Sequence, residues 1–121
     1  MSTRTAVLYV CVDRGRPASK LPTERAIEEG LVFADERDLR RLVGTITDPY
    51  GEPDPRHREG WQRVCRMAAR GEITDVITRW PAALAPESHH ELRFRETEAL
   101  AEHGVTIRYS WEPLAALKAA P

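Results

Sequence analysis

The run Thr5-Ala-Val-Leu-Tyr-Val-Cys-Val-Asp13 is apolar or β-branched at nearly every position. It shows none of the polar alternation of a strand with one face in water. Such a segment is at home as a central strand of a parallel sheet, covered on both faces. The rest of the chain supplies the covering. Asp13-Arg-Gly-Arg-Pro-Ala-Ser19 breaks the strand, and a helix follows in which Ile27, Leu31 and Ala34 fall at i, i+4, i+7. Gly30 weakens that helix without stopping it. Leu39 to Thr47 reads as a second strand, and Asp48 to Arg58, carrying Pro49, Pro53 and Pro55, as a loop.

The most regular helix signal comes next. Trp61, Val64, Cys65 and Ala68 form one stripe, and Gly71 offers the C′ stop. Ile73 to Trp80 is a third strand, followed by the proline-bounded Pro81-Ala-Ala-Leu-Ala-Pro86. Ser88 and Glu91 have the spacing of a capping box opening a helix through His103, which Gly104 closes. Val105 to Tyr109 is a fourth strand, and Pro113 to Pro121 a short alanine-rich tail. Strands alternating with helices predict βαβ units: a three-layer α/β domain with a mostly parallel central sheet of four or five strands. In such sheets ligands meet the carboxyl ends of the strands, so the loops of interest are Asp13 to Lys20, Asp48 to Glu59 and Arg79 to Glu87.

A chain of 121 residues fits one domain, and at 41% hydrophobic and 31% charged residues it is composed like a soluble globular protein. The 18 basic residues are matched by 19 acidic ones, so no bulk positive charge drives nonspecific nucleic-acid binding. The longest apolar run, Ala6 to Val12, is far short of the ~20 residues that span a bilayer, and Met1-Ser-Thr-Arg4 lacks a signal-peptide pattern. A cytoplasmic protein with no membrane partner is expected. Cys11 and Cys65, far apart among apolar neighbours, read as two reduced thiols.

The order of elements and several strings resemble the catalytic domain of the serine recombinases, the resolvase and invertase family. Tyr9-Val-Cys-Val-Asp13 has the frame of the family's opening Y-x-R-V-S strand. His57-Arg-Glu-Gly-Trp-Gln-Arg-Val64 resembles its D-R-P-G-L-Q-R-L landmark. Thr74 to Gly104 resembles the stretch that contains L-D-R-L-S-R, and Val105-Thr-Ile-Arg-Tyr109 the next strand. The similarity runs over roughly residues 4 to 113, within a single domain 1–121 whose residues 114–121 are the tail. The resemblance implies an enzyme that attacks a DNA phosphodiester with a serine while arginines stabilise the phosphate charge. It also implies a degenerate member. Asp13 stands at the serine position, Cys11 at the strand arginine, and Ala82, Ala83 and Pro86 at an aspartate and two arginines. Arg58 is the residue that matches. A carboxylate repels a phosphodiester, and losing even one stabilising donor typically costs ~10² to 10³ in rate. No catalytic residue, and no enzyme activity, is expected from this set.

The remaining constellations are weaker. Arg14, Arg16, Arg56, Arg58 and Lys20 fall in loops of one sheet rim and together suit phosphate or DNA, but Glu24, Glu52, Asp54 and Glu59 lie beside them. Arg14-Gly-Arg16 lacks the spaced glycines and lysine of a phosphate loop, and no other cofactor motif is present. Adjacent His89 and His90 point about 100° apart on a helix and have no zinc-spaced partner, so no metal site is expected. Asp13 as a phosphoryl acceptor or base of unrelated chemistry stays open. Trp61 and Trp80 read as core or core-edge rings, and Trp111 as an exposed contact with another chain. The combined expectation is a binding module in a DNA-related process, partnered by a second copy of itself or another protein. The alternative is a residual phosphate binder built on Arg58.

Overall fold

A computed structural model of the chain describes residues 4–11, 21–37 and 41–111. Within them β1 (Ala6–Val10), α1 (Leu21–Glu36), β2 (Leu42–Thr47), α2 (Glu59–Ala69), β3 (Asp75–Thr78), α3 (Glu91–Glu102) and β4 (Thr106–Tyr109) succeed one another along the chain. The four strands form one sheet in the order β2-β1-β3-β4, and every pairing is parallel. Asp13, Arg14, Arg16, Ser19, Lys20 and the tail from Pro113 lie outside the described residues.

The continuous apolar run of β1 is explained by what covers each face. Ala6, Leu8 and Val10 pack with Ala26, Phe33 and Ala34 of α1 and Ile77 of β3. Val7, Tyr9 and Cys11 pack with Trp61, Val64 and Ala68 of α2 and Leu100 of α3. All five β1 residues are buried, so neither set of alternate positions can be polar. Each such aliphatic side chain contributes about 1.5–3 kcal/mol of transfer free energy. The α2 stripe is as the spacing predicts, with Trp61, Val64 and Ala68 buried and Cys65 partly so. Gly71 (φ +70°) and Gly104 (φ +74°) end α2 and α3 in the left-handed region that a C′ residue occupies.

Several local expectations change. The α1 stripe is centred on Ala26, Gly30, Phe33 and Ala34, while Leu31 is 47% exposed. Gly30 faces Leu8 so closely that a methyl group there would meet the leucine side chain, which leaves Leu31, about 100° further round, in water. The Ser88–Glu91 capping box does not form. Pro86 starts a short 3-10 turn over Glu87–His89, and His90 enters α3 already helical (φ −60°, ψ −26°) without a side-chain cap. The extended residue that an N-cap requires is therefore missing. Ser88 Oγ instead lies 3.0 Å from His89 Nδ1. Trp111 is half-buried, its ring meeting Trp80 edge to face at 5.4 Å. Finally, the proline-rich loop contains a 3-10 turn, Pro55–His57, capped by the Asp54 side chain, which accepts Arg56 N–H at 3.0 Å.

Candidate functional site at the carboxyl edge of the sheet

Asp48 stands immediately after strand β2, and its carboxylate organises the start of α2. It accepts the backbone N–H groups of Gly60 at 2.7 Å and Trp61 at 2.9 Å. A carboxylate thus sits on the free donors and positive dipole end of α2, although it comes from another element. Tyr9 Oη donates to the same carboxylate at 2.7 Å. Burial, helped by the nearby Cys11 thiol and by the Asp48 bond, drives the Tyr9 phenol far above its usual pKa, so it serves as a neutral donor.

This arrangement sets Arg58, the residue just before α2, facing inward. Arg58 is 6% exposed. Its Nε donates to Glu52 carbonyl at 2.9 Å, and its Nη1 to Ala83 carbonyl at 2.7 Å and to Tyr9 Oη at 3.3 Å. The guanidinium ties β1, the proline loop and the Pro81–Ala83 turn together.

Arg58 also lines a pocket of about 390 Å3 where β1 and β3 end. The structure brings Cys11, Ala82 and Pro86 to the same pocket, with Ala83 buried behind it. Four positions singled out in the sequence thus share one cavity. Arg56 does not join them: its Nε donates to Glu96 Oε2 at 3.1 Å, on the side where α2 meets α3. Glu96 is buried there and also accepts Trp61 Nε1 at 2.8 Å and Arg95 Nε at 2.8 Å. These bonds satisfy a buried charge and serve packing rather than chemistry. Arg95 Nη2 reaches on to Asp54, and this bond, ahead of the Arg56 amide bond, holds the Asp54 carboxyl below its usual pKa.

The pocket also contains residues that sequence reasoning passed over. Arg79 and Trp80 come directly after β3 and line the wall with Tyr50. The Arg79 guanidinium lies 4.5 Å over the Trp80 ring. Its Nε is buried and, among the described residues, has no hydrogen-bond partner; Glu29 Oε1 is 3.7 Å away. The available signal was position, since an arginine one residue past a strand stands at the edge where ligands meet the sheet.

The two rim acids are already engaged. Glu52 Oε2 accepts Asp54 N–H at 3.1 Å and Oε1 lies 3.6 Å from His57 Nδ1, while Glu87 Oε2 lies 3.1 Å from Arg93 Nη1. Burial pushes the Cys11 thiol up, and nearby Asp48 adds to this while Arg58 opposes it. That holds the thiol protonated and a poor nucleophile. No three His, Cys, Asp or Glu side chains converge to hold a metal among the described residues, and no described helix is long and apolar enough to cross a membrane. His89 and His90 are exposed.

A parallel sheet clad by helices, with its pocket at the carboxyl edge, places the chain among three-layer α/β domains. More narrowly, it has the fold of serine recombinase catalytic domains. The C-terminal catalytic domain of ISC1926 TnpA, an IS607-like serine recombinase, is similar at a TM-score of 0.71 and 19% identity, over 87% of this chain and 68% of that one. The N-terminal catalytic domain of TP901-1 integrase gives 0.71 and 12%, over 95% and 88%. A serine recombinase from Sulfolobus solfataricus gives 0.56 and 22%, over 89% and 69%. No family model matches the sequence, and no curated protein matches it.

Proposed function

We propose that this chain is a serine-recombinase-fold domain that works by association in a DNA-related process, most directly with a second copy of itself, and does not cleave DNA. The observation that carries this reading is the Arg58 guanidinium, buried and committed to Glu52 carbonyl, Ala83 carbonyl and Tyr9 Oη. An arginine that stabilises a phosphoryl transition state must aim its donors at the oxygens where charge develops. Here Nε and Nη1 serve the fold. Around it Cys11, Ala82 and Pro86 supply neither cation nor activated nucleophile. A surface suited to association accompanies this. β2 is an uncharged six-residue strand, LVGTIT, with no neighbour on its outer edge among the described residues. Val43 on it, and Leu31 and Val32 on α1, are each about half exposed. Uncharged edges of this kind recruit further strands.

Sedimentation velocity, alone and with a short fluorescent duplex, tests the reading. The expected result is a discrete dimer or larger species, freely sedimenting DNA, and a shift toward monomer in Val43→Lys. A protein that stays monomeric at all concentrations, or one that forms a covalent adduct with plasmid DNA on a denaturing gel, overturns it.

A further inference from the structure

We propose that this chain associates head to tail: the outer face of α1 of one copy docks along the outer face of α2 of the next, beside the groove between α2 and α3. This rests on the association reading and adds a salt-sensitive contact to the uncharged β2 edge.

α1 covers one side of the sheet, α2 and α3 the other, so their outer faces point away from each other. On α1 the buried residues Ala26, Gly30, Phe33 and Ala34 leave Glu24 and Glu28 on the opposite side. Leu31 and Val32 flank them, 47% and 52% exposed. Neither glutamate has an ion pair among the described residues. The helix as a whole is acidic, with Glu24, Glu28, Glu29, Asp35 and Glu36 against Arg25. Adjacent apolar side chains ringed by charge make up an interaction surface.

α2 presents the complement. Its buried Trp61, Val64 and Ala68 leave Gln62, Arg63, Arg66 and Arg70 outward. Arg63 and Arg66 have no ion pair among the described residues, and Arg70 has a loose 3.9 Å contact with exposed Glu72. Beside this basic stripe lies an open groove of about 410 Å3, into which Trp61, Gln62, Cys65 and Ala99 face.

The two faces match in charge and in spacing. Glu24 and Glu28 are four residues apart, as are Arg66 and Arg70, which on a helix is ~6 Å. Laid antiparallel, α1 sets Glu24 against Arg70 and Glu28 against Arg66, and its next turn brings Leu31 and Val32 beside Gln62, at the groove. A parallel arrangement would carry those two side chains past the end of α2 at Ala69. The exposed Glu91, Glu98 and Glu102 of α3 repel a second acidic helix and keep α1 over α2. Glu59, at the start of α2, turns the far end of α1 aside, so the helices cross at an angle, as packed helices do.

The same surroundings disfavour a duplex as the occupant. Its phosphates would meet Glu59, Glu72 and the α3 acids, and the apolar groove would stay unfilled. Because the two docking faces differ, the contact is heterologous: each copy keeps one face of each kind free, and association extends until a ring closes.

The test is sedimentation velocity of the full chain at low and high salt, with two charge-reversed variants, Glu24→Arg/Glu28→Arg and Arg66→Glu/Arg70→Glu. All four positions are exposed, so the core is undisturbed. The parent should form species that high salt dissociates. Each variant alone should associate at least about tenfold more weakly at low salt, because like charges now meet. An equimolar mixture should regain the association, since the reversed α1 of one variant faces the reversed α2 of the other; a misfolded variant would not recover in this way. Parent association that neither reversal weakens, a mixture that fails to recover, or a basic stripe that binds a short duplex in place of a second copy overturns this contact and leaves the β2-edge association standing. A parent that is monomeric at every concentration overturns both.

Discussion

The Tyr9 hydroxyl donates to the Asp48 carboxylate at 2.7 Å, joining the central strand to the residue that caps α2 from the end of β2. One carboxylate therefore serves two backbone donors and one buried phenol. Asp48→Ala removes the cap, worth about 1–2 kcal/mol, and leaves the phenol without its acceptor, a further ~1–3 kcal/mol. A total loss of about 2–5 kcal/mol is expected. Tyr9→Phe leaves the cap in place and should cost only about 1 kcal/mol. Urea denaturation of both variants and the double variant measures the coupling. An Asp48→Ala midpoint shift no larger than that of Tyr9→Phe would sink the assignment.

Gly30 should resist the substitution that usually strengthens a helix. Glycine to alanine in a helix interior ordinarily gains about 1 kcal/mol. Here the new methyl group meets the buried Leu8 side chain, and overpacking of that kind costs about 1–3 kcal/mol. Gly30→Ala should therefore destabilise the native chain yet stabilise a Leu8→Ala background. Thermal melts of the four proteins decide, and the same sign in both backgrounds contradicts the contact.

The strength and limits of sequence reasoning come from the range of each interaction. The uninterrupted Ala6–Val10 run announced a strand covered on both faces, and the Trp61, Val64, Ala68 stripe announced α2, because burial imprints local periodicity. The serine recombinase fold was legible in the order of such elements. The α1 face was misplaced at Leu31 because Gly30, apolar only by omission, lets the sheet approach and rotates the buried stripe toward Phe33. Ser88 and Glu91 had capping-box spacing, but Pro86 had already begun a 3-10 turn that absorbs Ser88. Asp48 capping α2 from twelve residues away, and Arg56 turning to Glu96 instead of standing beside Arg58, are contacts across the fold with no local signature. Arg79 lay inside a loop marked for attention. Its place in the pocket wall follows only once β3 is seen to end at Thr78.

Acid should weaken the protein partly through Asp54. Its bond from Arg95 lowers its folded-state pKa below the unfolded value of about 3.9. The stabilisation is therefore fully present above that unfolded value and is lost as pH falls through the lower folded one. Asp54→Asn retains an oxygen for the Arg56 N–H but no charge. Urea melts taken from neutral pH downward should show a shallower acid loss in Asp54→Asn than in the parent chain. Parallel curves for the two proteins would show that Asp54 carries none of the dependence.

Arg58 distinguishes a structural arginine from a catalytic one. A residue whose task is to receive phosphate is fixed by its neighbours, and its removal typically spares stability. Arg58 supplies donors to Glu52 carbonyl, Ala83 carbonyl and Tyr9 Oη from a buried position. Arg58→Ala leaves two carbonyls and a phenol short of partners, each worth about 1–3 kcal/mol where fully buried. Partial relaxation and water entry from the adjacent pocket reduce the sum, so a loss of about 2–4 kcal/mol is expected. Arg58→Lys places one charge there but cannot reproduce the planar fork, and it should recover only part of that loss. Denaturant midpoints for the two variants make the comparison. An Arg58→Ala protein as stable as the parent would return this guanidinium to the solvent of the pocket and reopen a phosphate-binding role for it.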